Sequence, residues 1–193
     1  MKKIILFIIV SIILYSCKSN DLHTTNYFSS VTIDTLLQDK ISIRALLIDK
    51  EKIWYAADQS RFGCIDLKSN QKKEIQIPAD KNREYRSIAQ TKEHIFILSV
   101  ANPALLYRIS KKDLSYELVY QETHEKVFYD SMQFWNDMEG IAIGDPIEGS
   151  FSIITTHDGG NSWQKTPTNQ IPKLEEGEAA FAASNTNIVV NGD

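Results

Sequence analysis

Four charged residues stand at equivalent places in four similar segments of the chain, and their side chains could serve binding or catalysis. They are Arg44, Arg86, Asp130 and Glu178, which follow one another at intervals of 42, 44 and 48 residues. Two guanidinium groups can hold a carboxylate between them, because each offers a planar fork of N–H donors. A neighbouring aspartic or glutamic acid can donate or accept a proton. The function therefore depends on whether the fold gathers these four side chains.

The segments around these residues predict the elements that position them. Each segment begins with a short strand and continues through a polar turn into an apolar run, at residues 52–56, 94–98, 140–144 and 187–190. Further strand candidates follow in the first three segments, at residues 62–67, 74–78, 104–110, 116–121, 151–156 and 162–166. β-Branched and aromatic residues dominate the apolar runs, which lack helical periodicity. A four-stranded unit that recurs every 40–50 residues or so is typical of a β-propeller blade.

We therefore predict an all-β fold, a β-propeller of four-stranded antiparallel blades with about three and a half blades present. The blades are expected near residues 42–78, 84–121 and 128–167, with an incomplete one from residue 176, in a domain spanning 35–193. An antiparallel sandwich with accidental spacing is the alternative. Because the first strand of each blade lines the central channel, the four charged residues are expected to form a ring at one mouth. Such a ring could bind a partner, or its members could simply neutralise one another.

The segment Thr-His-Asp-Gly-Gly-Asn-Ser-Trp fits the Asp-box pattern, Ser/Thr-x-Asp-x-Gly-x-Ser/Thr-Trp, with Thr156, Asp158, Gly160, Ser162 and Trp163 at the defined positions. The aspartate can accept hydrogen bonds from backbone N–H groups and so close a hairpin. The glycine permits positive φ in the turn, and the tryptophan offers an apolar face beside it. We interpret this motif as structural rather than catalytic.

Other positions give weaker signals. The second blade keeps the hydroxyl of Ser115, but Lys111 stands where the Asp-box aspartate would be, and residues 66–73 of the first blade have lost the pattern. Asp145, in Gly-Asp-Pro, follows an apolar run, where Pro146 fixes the turn. It is either a turn residue or a ligand-binding residue in a loop.

Composition and charge narrow the function classes. The chain has 193 residues, a net charge of −4 and 42% hydrophobic residues, as in an ordinary globular protein. Loss of Lys2 and Lys3 with a signal peptide would leave a charge of about −6, without the basic footprint of a nucleic-acid-binding protein. The histidines at 23, 94, 124 and 157 are scattered, and the two cysteines are Cys17 and Cys64. The sequence thus predicts no metal centre, disulfide framework, cofactor or nucleic-acid partner.

The N-terminus has the features of an export signal. Lys2 and Lys3 precede an apolar run at residues 4–15, which is too short to cross about 30 Å of hydrocarbon as a helix. The run ends in Leu-Tyr-Ser-Cys, which resembles the bacterial lipobox, and Cys17 would carry the lipid. An uncleaved anchor helix is the alternative. We predict a signal peptide over residues 1–16 and a lipidated tether over 17–34. The exported protein would be anchored to the inner or outer membrane and would face the periplasm or the cell surface.

Several motifs together resemble a known group: Phe128-Tyr129-Asp130, Gly144-Asp145-Pro146, the Asp-box and residues 177–184. They are similar to the sialidase-superfamily propellers related to the photosystem II stability and assembly factor, in the lipoprotein branch of Bacteroidetes-type bacteria. The resemblance runs roughly from residue 43 onward. It implies an exported propeller whose better-known relatives help to assemble membrane complexes. The chain lacks the further blades of such relatives, so we expect a truncated product or closure by another chain.

The residues and the resemblance favour a non-catalytic binding or assembly module whose partner is a protein or, alternatively, a glycan. A sialidase-like glycoside hydrolase is a second hypothesis, with Arg44 and Arg86 holding a substrate carboxylate and Asp130 or Glu178 as the acid. No third arginine or Tyr–Glu nucleophile pair can be assigned to it. Members of the lipoprotein branch are sometimes labelled oxidoreductases, a third hypothesis, but the chain has no dinucleotide fingerprint, Cys-x-x-Cys pair or haem motif. No catalytic residue is predicted.

Overall fold

A computed structural model describes residues 29–77, 82–180 and 185–191. The predicted signal peptide, Cys17 and most of the predicted tether lie outside these ranges. The chain divides into two compact units, residues 1–35 and 36–193. In the first unit, residues 29–35 are exposed and carry no strand or helix. Within the described ranges, no helix has the length and apolar character needed to span a bilayer.

The second unit consists of three four-stranded antiparallel sheets, in which consecutive strands are neighbours. The first sheet contains β1 (Ile43–Asp49), β2 (Lys52–Ala57), β3 (Arg61–Asp66) and β4 (Lys72–Gln76). The second contains β5 (Tyr85–Gln90), β6 (His94–Ser99), β7 (Ala104–Ser110) and β8 (Tyr116–Glu122). The third contains β9 (Tyr129–Phe134), β10 (Gly140–Ile147), β11 (Ser150–Thr156) and β12 (Gln164–Lys165). A single short 3₁₀ turn, Thr168–Gln170, is the only helical element among the described residues. The predicted all-β class and its four-stranded antiparallel blades are thus confirmed.

The position of each strand in its sheet follows from its residues. The central strand β6 is apolar and buried on both faces, because the sheet lies between two others and neither face meets water. The outermost strand β4 reads Lys-Lys-Glu-Ile-Gln and is mostly exposed. Charged side chains on such an edge oppose pairing with a further strand. The sequence therefore fixes which strand lies inside and which lies at the rim.

Aromatic side chains fill the spaces between adjacent sheets. Between the first and second sheets, Trp54 stacks on Phe62 with ring centroids 5.8 Å apart, in a cluster that also contains Tyr85. Between the second and third sheets, Phe96 stacks on Phe134 at 4.6 Å. The innermost strand β5 contacts both β1 and β9. The three sheets therefore pack face to face with their first strands side by side.

The Asp-box closes the hairpin between β11 and β12. Asp158 Oδ1 accepts a hydrogen bond from the Ser162 N–H at 3.0 Å, and its Oδ2 accepts one from the Ser162 hydroxyl at 2.7 Å. The Thr156 hydroxyl donates to Asp158 Oδ1 at 2.8 Å. Although partial burial opposes the change, these bonds lower the pKa of Asp158 to about 2. Gly160 has a φ of 78°, and a Cβ there would collide with the Phe96 ring. Trp163 is 6% exposed and packs against Phe96 and Phe134.

The corresponding hairpins of the other two sheets are closed by the same chemistry. Asp113 Oδ1 accepts hydrogen bonds from the Ser115 N–H at 3.0 Å and from its hydroxyl at 2.7 Å. Asp66 Oδ1 accepts bonds from the Ser69 N–H at 2.9 Å and from its hydroxyl at 3.0 Å. The sequence pattern predicts Lys111 at the aspartate position of the second blade and no Asp-box in the first blade. An aspartate and a serine nevertheless close all three hairpins, with different spacing.

The predicted incomplete fourth blade does not form strands within the described residues. Around Gly177, which has a φ of 88°, the Glu178 N–H donates to the Glu175 carbonyl oxygen at 3.3 Å. This stretch is therefore a turn where the sequence predicted a first strand. Residues 187–190, predicted as the second strand, also form no strand. A glycine between closely spaced glutamates weakens a strand, because it supplies no side chain to pack beside like charges.

We predict that Asp158→Ala lowers the free energy of unfolding by about 1–3 kcal/mol, because the Ser162 and Thr156 donors lose a charged acceptor. Urea denaturation followed by tryptophan fluorescence measures the change. Glu125→Ala is the control, since Glu125 is exposed and makes no hydrogen bond within the described chain. Equal unfolding curves for the two variants would contradict the role assigned to Asp158.

Candidate functional site

The three innermost strands share an irregularity at the predicted ring positions. The β1–β2 register shifts between Ile43 and Ala45, so that Arg44 is an extra residue. The β5–β6 register shifts in the same way at Arg86, and the β9–β10 register at Asp130. A bulge of this kind bends its strand and redirects the side chain of the extra residue. The structure therefore places three of the four predicted ring residues at equivalent bulges, at one end of adjacent strands.

A carboxylate that the sequence analysis did not select joins the two arginines. Glu84 Oε1 lies 3.3 Å from Arg44 Nε and 3.1 Å from Arg86 Nε, so one acid bridges the first two blades. The side chain of Arg44 is 44% exposed and that of Arg86 is 26% exposed. The Arg86 guanidinium also lies 5.7 Å from the centre of the Phe128 ring. Glu84 lies immediately before β5, two residues before Arg86, and this spacing gives no sign of its contact with Arg44.

In the third blade, two carboxylates meet at two adjacent bulges. The β10–β11 register shifts between Gly144 and Pro146, which makes Asp145 an extra residue. Its N–H donates to the Phe128 carbonyl oxygen at 2.8 Å, which ties it to the chain just before Asp130. The Asp130 side chain belongs to a residue only 1% exposed, and neither carboxylate oxygen has a hydrogen-bond partner in the described chain. Asp145 Oδ1 is also buried without a partner.

The surroundings of these two acids favour their neutral forms. Burial, followed by the nearby charge of Asp145, raises the pKa of Asp130 to about 7, and Arg86 opposes this rise only in part. Burial also raises the pKa of Asp145, against a hydrogen bond from the Ala180 backbone. Burial removes hydration from both carboxyl groups, and the backbone contacts that they receive compensate only in part. The site thus combines two partly exposed guanidinium groups with a protonatable buried acid.

The fourth predicted ring residue makes a local contact instead. The Glu178 carboxylate accepts a hydrogen bond from the Glu175 N–H at 2.8 Å, within the turn described above. Asn185 makes a contact between the inner strands that the sequence did not indicate. Its side chain donates to the Ile88 carbonyl oxygen at 2.7 Å and accepts from the Met132 N–H at 3.0 Å, which links β5 to β9. Only its φ of 61°, a conformation that asparagine tolerates, marks it as unusual.

A tyrosine–glutamate pair is present but lacks the properties of a nucleophile. The Tyr129 hydroxyl donates to Glu122 Oε2 at 2.6 Å, and Tyr120 donates to the same oxygen at 2.9 Å. Tyr129 is fully buried, and burial together with these neighbours raises its pKa well above the usual range. Lys165 donates to Glu122 Oε1 at 2.7 Å. A nucleophilic hydroxyl needs the opposite shift, so this network ties β8 to the third blade rather than activating Tyr129.

A groove of about 880 Å³ lies at the opposite end of the same inner strands. Its polar groups largely satisfy one another. The Lys111 amine donates to Asp49 Oδ2 at 2.8 Å and to Gln90 Oε1 at 2.7 Å, and Asp137 Oδ1 accepts the Lys92 N–H at 2.7 Å. The carboxylate oxygens without partners lie instead at the other end of these strands, in Asp130 and Asp145. They stand beside Arg44, Glu84 and Arg86. We call these five residues the bulge site.

We predict that the contribution of Asp130 to the free energy of unfolding falls as the pH rises from about 4 to about 7, because only the folded chain retains this proton there. Its folded pKa lies above the ordinary value of 3.8, so the unfolded chain releases this proton first and the free energy of unfolding decreases across that interval. Asp130→Asn removes this part of the slope, and the smaller part due to Asp145 remains. Urea denaturation at about pH 5 and about pH 8 measures it. Identical slopes for the variant and the wild type would contradict the burial of an unpaired acid.

The chain matches no protein-family model by sequence, and no curated protein matches it. The solved structures to which it is similar include three propellers. It superposes on U3-55K with a TM-score of 0.54 and 14% identity, over 75% of this chain and 42% of that one. It superposes on the RRP9 WD40 repeats with a TM-score of 0.52 and 14% identity, over 70% of this chain and 42% of that one. It superposes on YCF48 bound to D1 peptide with a TM-score of 0.51 and 12% identity, over 65% of this chain and 39% of that one. The chain therefore spans about two fifths of the length of these structures, and at such low identity the likeness establishes the β-propeller fold.

Proposed function

We propose that this protein is a non-catalytic protein-binding module that takes part in assembly, and that it binds its partner through the bulge site. The observation that carries the proposal is the position of Arg44, Arg86 and Asp130 at equivalent bulges of three adjacent inner strands. Rigid sheets hold these side chains in place, so little conformational entropy is lost when a partner binds. Glu84 pairs with both guanidinium groups, and both arginine side chains remain partly exposed.

The fold supports a binding role, and the chemistry of the site supports it over hydrolysis. Propellers present a broad face of loops and strand ends on a rigid frame, which suits recognition. One neighbour in fold, YCF48, is described with a bound D1 peptide. Arginines are the charged residues most enriched at the energetic centres of protein interfaces. The buried Tyr129 supplies no nucleophile beside them, as a sialidase-like hydrolase would need.

We further propose that the protein is exported and attached to a membrane through a lipid on Cys17. The support comes from the sequence alone: an apolar run of signal-peptide length that ends at a cysteine in a lipobox-like setting. More than one acyl chain is needed for lasting attachment, and a lipobox cysteine provides such an anchor. The proposal would place the bulge site in an extracytoplasmic compartment, within reach of membrane proteins under assembly.

The binding role predicts that the double variant Arg44→Ala, Arg86→Ala loses its partner but keeps its fold. A photoreactive residue replacing Thr123, which is exposed in the loop before β9, would crosslink the partner in cells. We expect a discrete protein adduct whose yield falls about tenfold or more in the double variant, equivalent to about 1.4 kcal/mol. Lys126→Ala is the control, because its side chain is exposed and unpaired among the described residues. An adduct that survives in the double variant would refute the role of the arginines, and a glycan adduct would replace the protein partner.

The anchoring proposal predicts that Cys17→Ser abolishes labelling with radioactive palmitate and releases the protein from the membrane fraction. The serine cannot form the thioether that carries the lipid, and the signal peptide should stay attached. Cys64→Ser provides the matched control, since Cys64 is buried in the first blade and should not affect labelling. Continued labelling of the Cys17 variant would disprove lipid attachment at this residue.

A further inference from the structure

The bulge site contains more negative charge than its own residues can neutralise. Two guanidinium groups, Arg44 and Arg86, stand against three carboxylates, those of Glu84, Asp130 and Asp145. Both arginines pair with Glu84. No ammonium or guanidinium group in the described chain forms an ion pair with Asp130 or Asp145. Asp130 is buried and Asp145 is partly buried, and neither has a counter-ion in contact within the described residues.

The unpaired atoms are concentrated at this point. Both oxygens of Asp130 and Asp145 Oδ1 are buried without a hydrogen-bond partner, and so is the hydroxyl of the next residue, Ser131. Nearly all buried polar atoms in folded proteins find a partner, and an exception calls for a water, an ion or a special role. Three carboxylate oxygens from two neighbouring bulges are too many to be explained by one missing donor.

We propose that Asp130 and Asp145 bind a cation that prefers oxygen ligands, with Ca²⁺ as the best fit. Neither the sequence nor the binding role assigns a metal to these residues, and the proposal goes beyond that role although both involve the bulge site. The cation would supply the missing positive charge and would give all three unpaired oxygens a partner. It would also cross-link β9 to β10 at their bulges, next to Arg86.

The identity of the cation follows from the chemistry of the available ligands. Both side chains are carboxylates, which suit cations that prefer oxygen ligands rather than the softer transition metals. The described residues contain no group of three His, Cys, Asp or Glu side chains that could hold a metal ion, so other ligands must complete the coordination of a cation at these two carboxylates. The remaining ligands would be backbone carbonyl oxygens and water. Ca²⁺ accepts carboxylates and carbonyls in irregular geometry, whereas Mg²⁺ demands a regular octahedron and keeps most of its water. A buried and irregular pair of bulges fits the first ion better.

The test is calcium titration of the purified full-length protein after removal of metal by chelation. At about pH 8, where Asp130 is ionised, we expect Ca²⁺ to raise Tm and to bind once per chain in calorimetry. Binding should weaken toward pH 5, because protons compete with the metal for the Asp130 and Asp145 carboxylates, beside which Arg44, Arg86 and Glu84 lie. Asp130→Asn and Asp145→Asn should each reduce the affinity about tenfold or more. Mg²⁺ should bind more weakly than Ca²⁺.

Two controls keep the result decisive. Asp137→Asn changes an exposed acid in the opposite groove, and its amide oxygen can still accept the Lys92 N–H, so this variant should bind Ca²⁺ like the wild type. Asp130→Asn also removes the burial cost of the acid, so it should fold and should have a raised Tm in chelator. If Ca²⁺ leaves the Tm of the wild type unchanged at about pH 8, or if Asp137→Asn abolishes binding as Asp130→Asn does, the site is neutralised by protons and the proposal is wrong. Loss of Ca²⁺ binding with retained crosslinking to a partner would separate this site from the binding role.

Discussion

The structure depends on the burial of both faces of each four-stranded sheet. A strand such as β6 is apolar on both sides, so its sheet is stable only between two neighbours. This requirement stacks the sheets face to face and aligns their first strands. The first blade shows what happens where this burial is incomplete. Ile88 and Met132 occupy equivalent positions in the second and third blades and are buried, whereas the corresponding Leu46 of the first blade is 61% exposed. Leu37, Ile41 and Ile43 cover part of the same face.

The alignment of the inner strands turns a small backbone defect into a candidate site. A bulge in one strand redirects one side chain, but bulges at the same height in three adjacent strands direct three side chains to one place. The fourth bulge, at Asp145, adds a second acid in the third blade. Because the blades differ in sequence at these positions, the site is basic on one side and acidic on the other. Its asymmetry arises from side-chain identity on a repeated backbone.

Much of the fold could be predicted from the sequence, because strand alternation and a regular repeat are local signals. The strands of the three blades lie within a few residues of their predicted positions, and the repeat alignment brought Arg44, Arg86 and Asp130 to equivalent places. Contacts between blades are harder to predict, because they join residues that are distant in the sequence. Glu84 is unremarkable until the packing of β1 beside β5 brings Arg44 to it. The residues around Gly177 form a turn instead of the predicted strand, because the repeat alignment did not weigh a glycine between closely spaced glutamates.

Asn185 gives the fold a property that strand pairing alone would not. Its amide spans the seam between β5 and β9, holding main-chain groups that lie 97 and 53 residues earlier in the chain. Ribosomal synthesis delivers both of those strands well before it delivers this residue. The second and third blades can therefore associate before Asn185 is synthesised, and its two hydrogen bonds then stabilise a contact that has already formed. The contact between β5 and β9 beside the bulge site would thus form in two steps. The blades pack first, and the Asn185 hydrogen bonds form second.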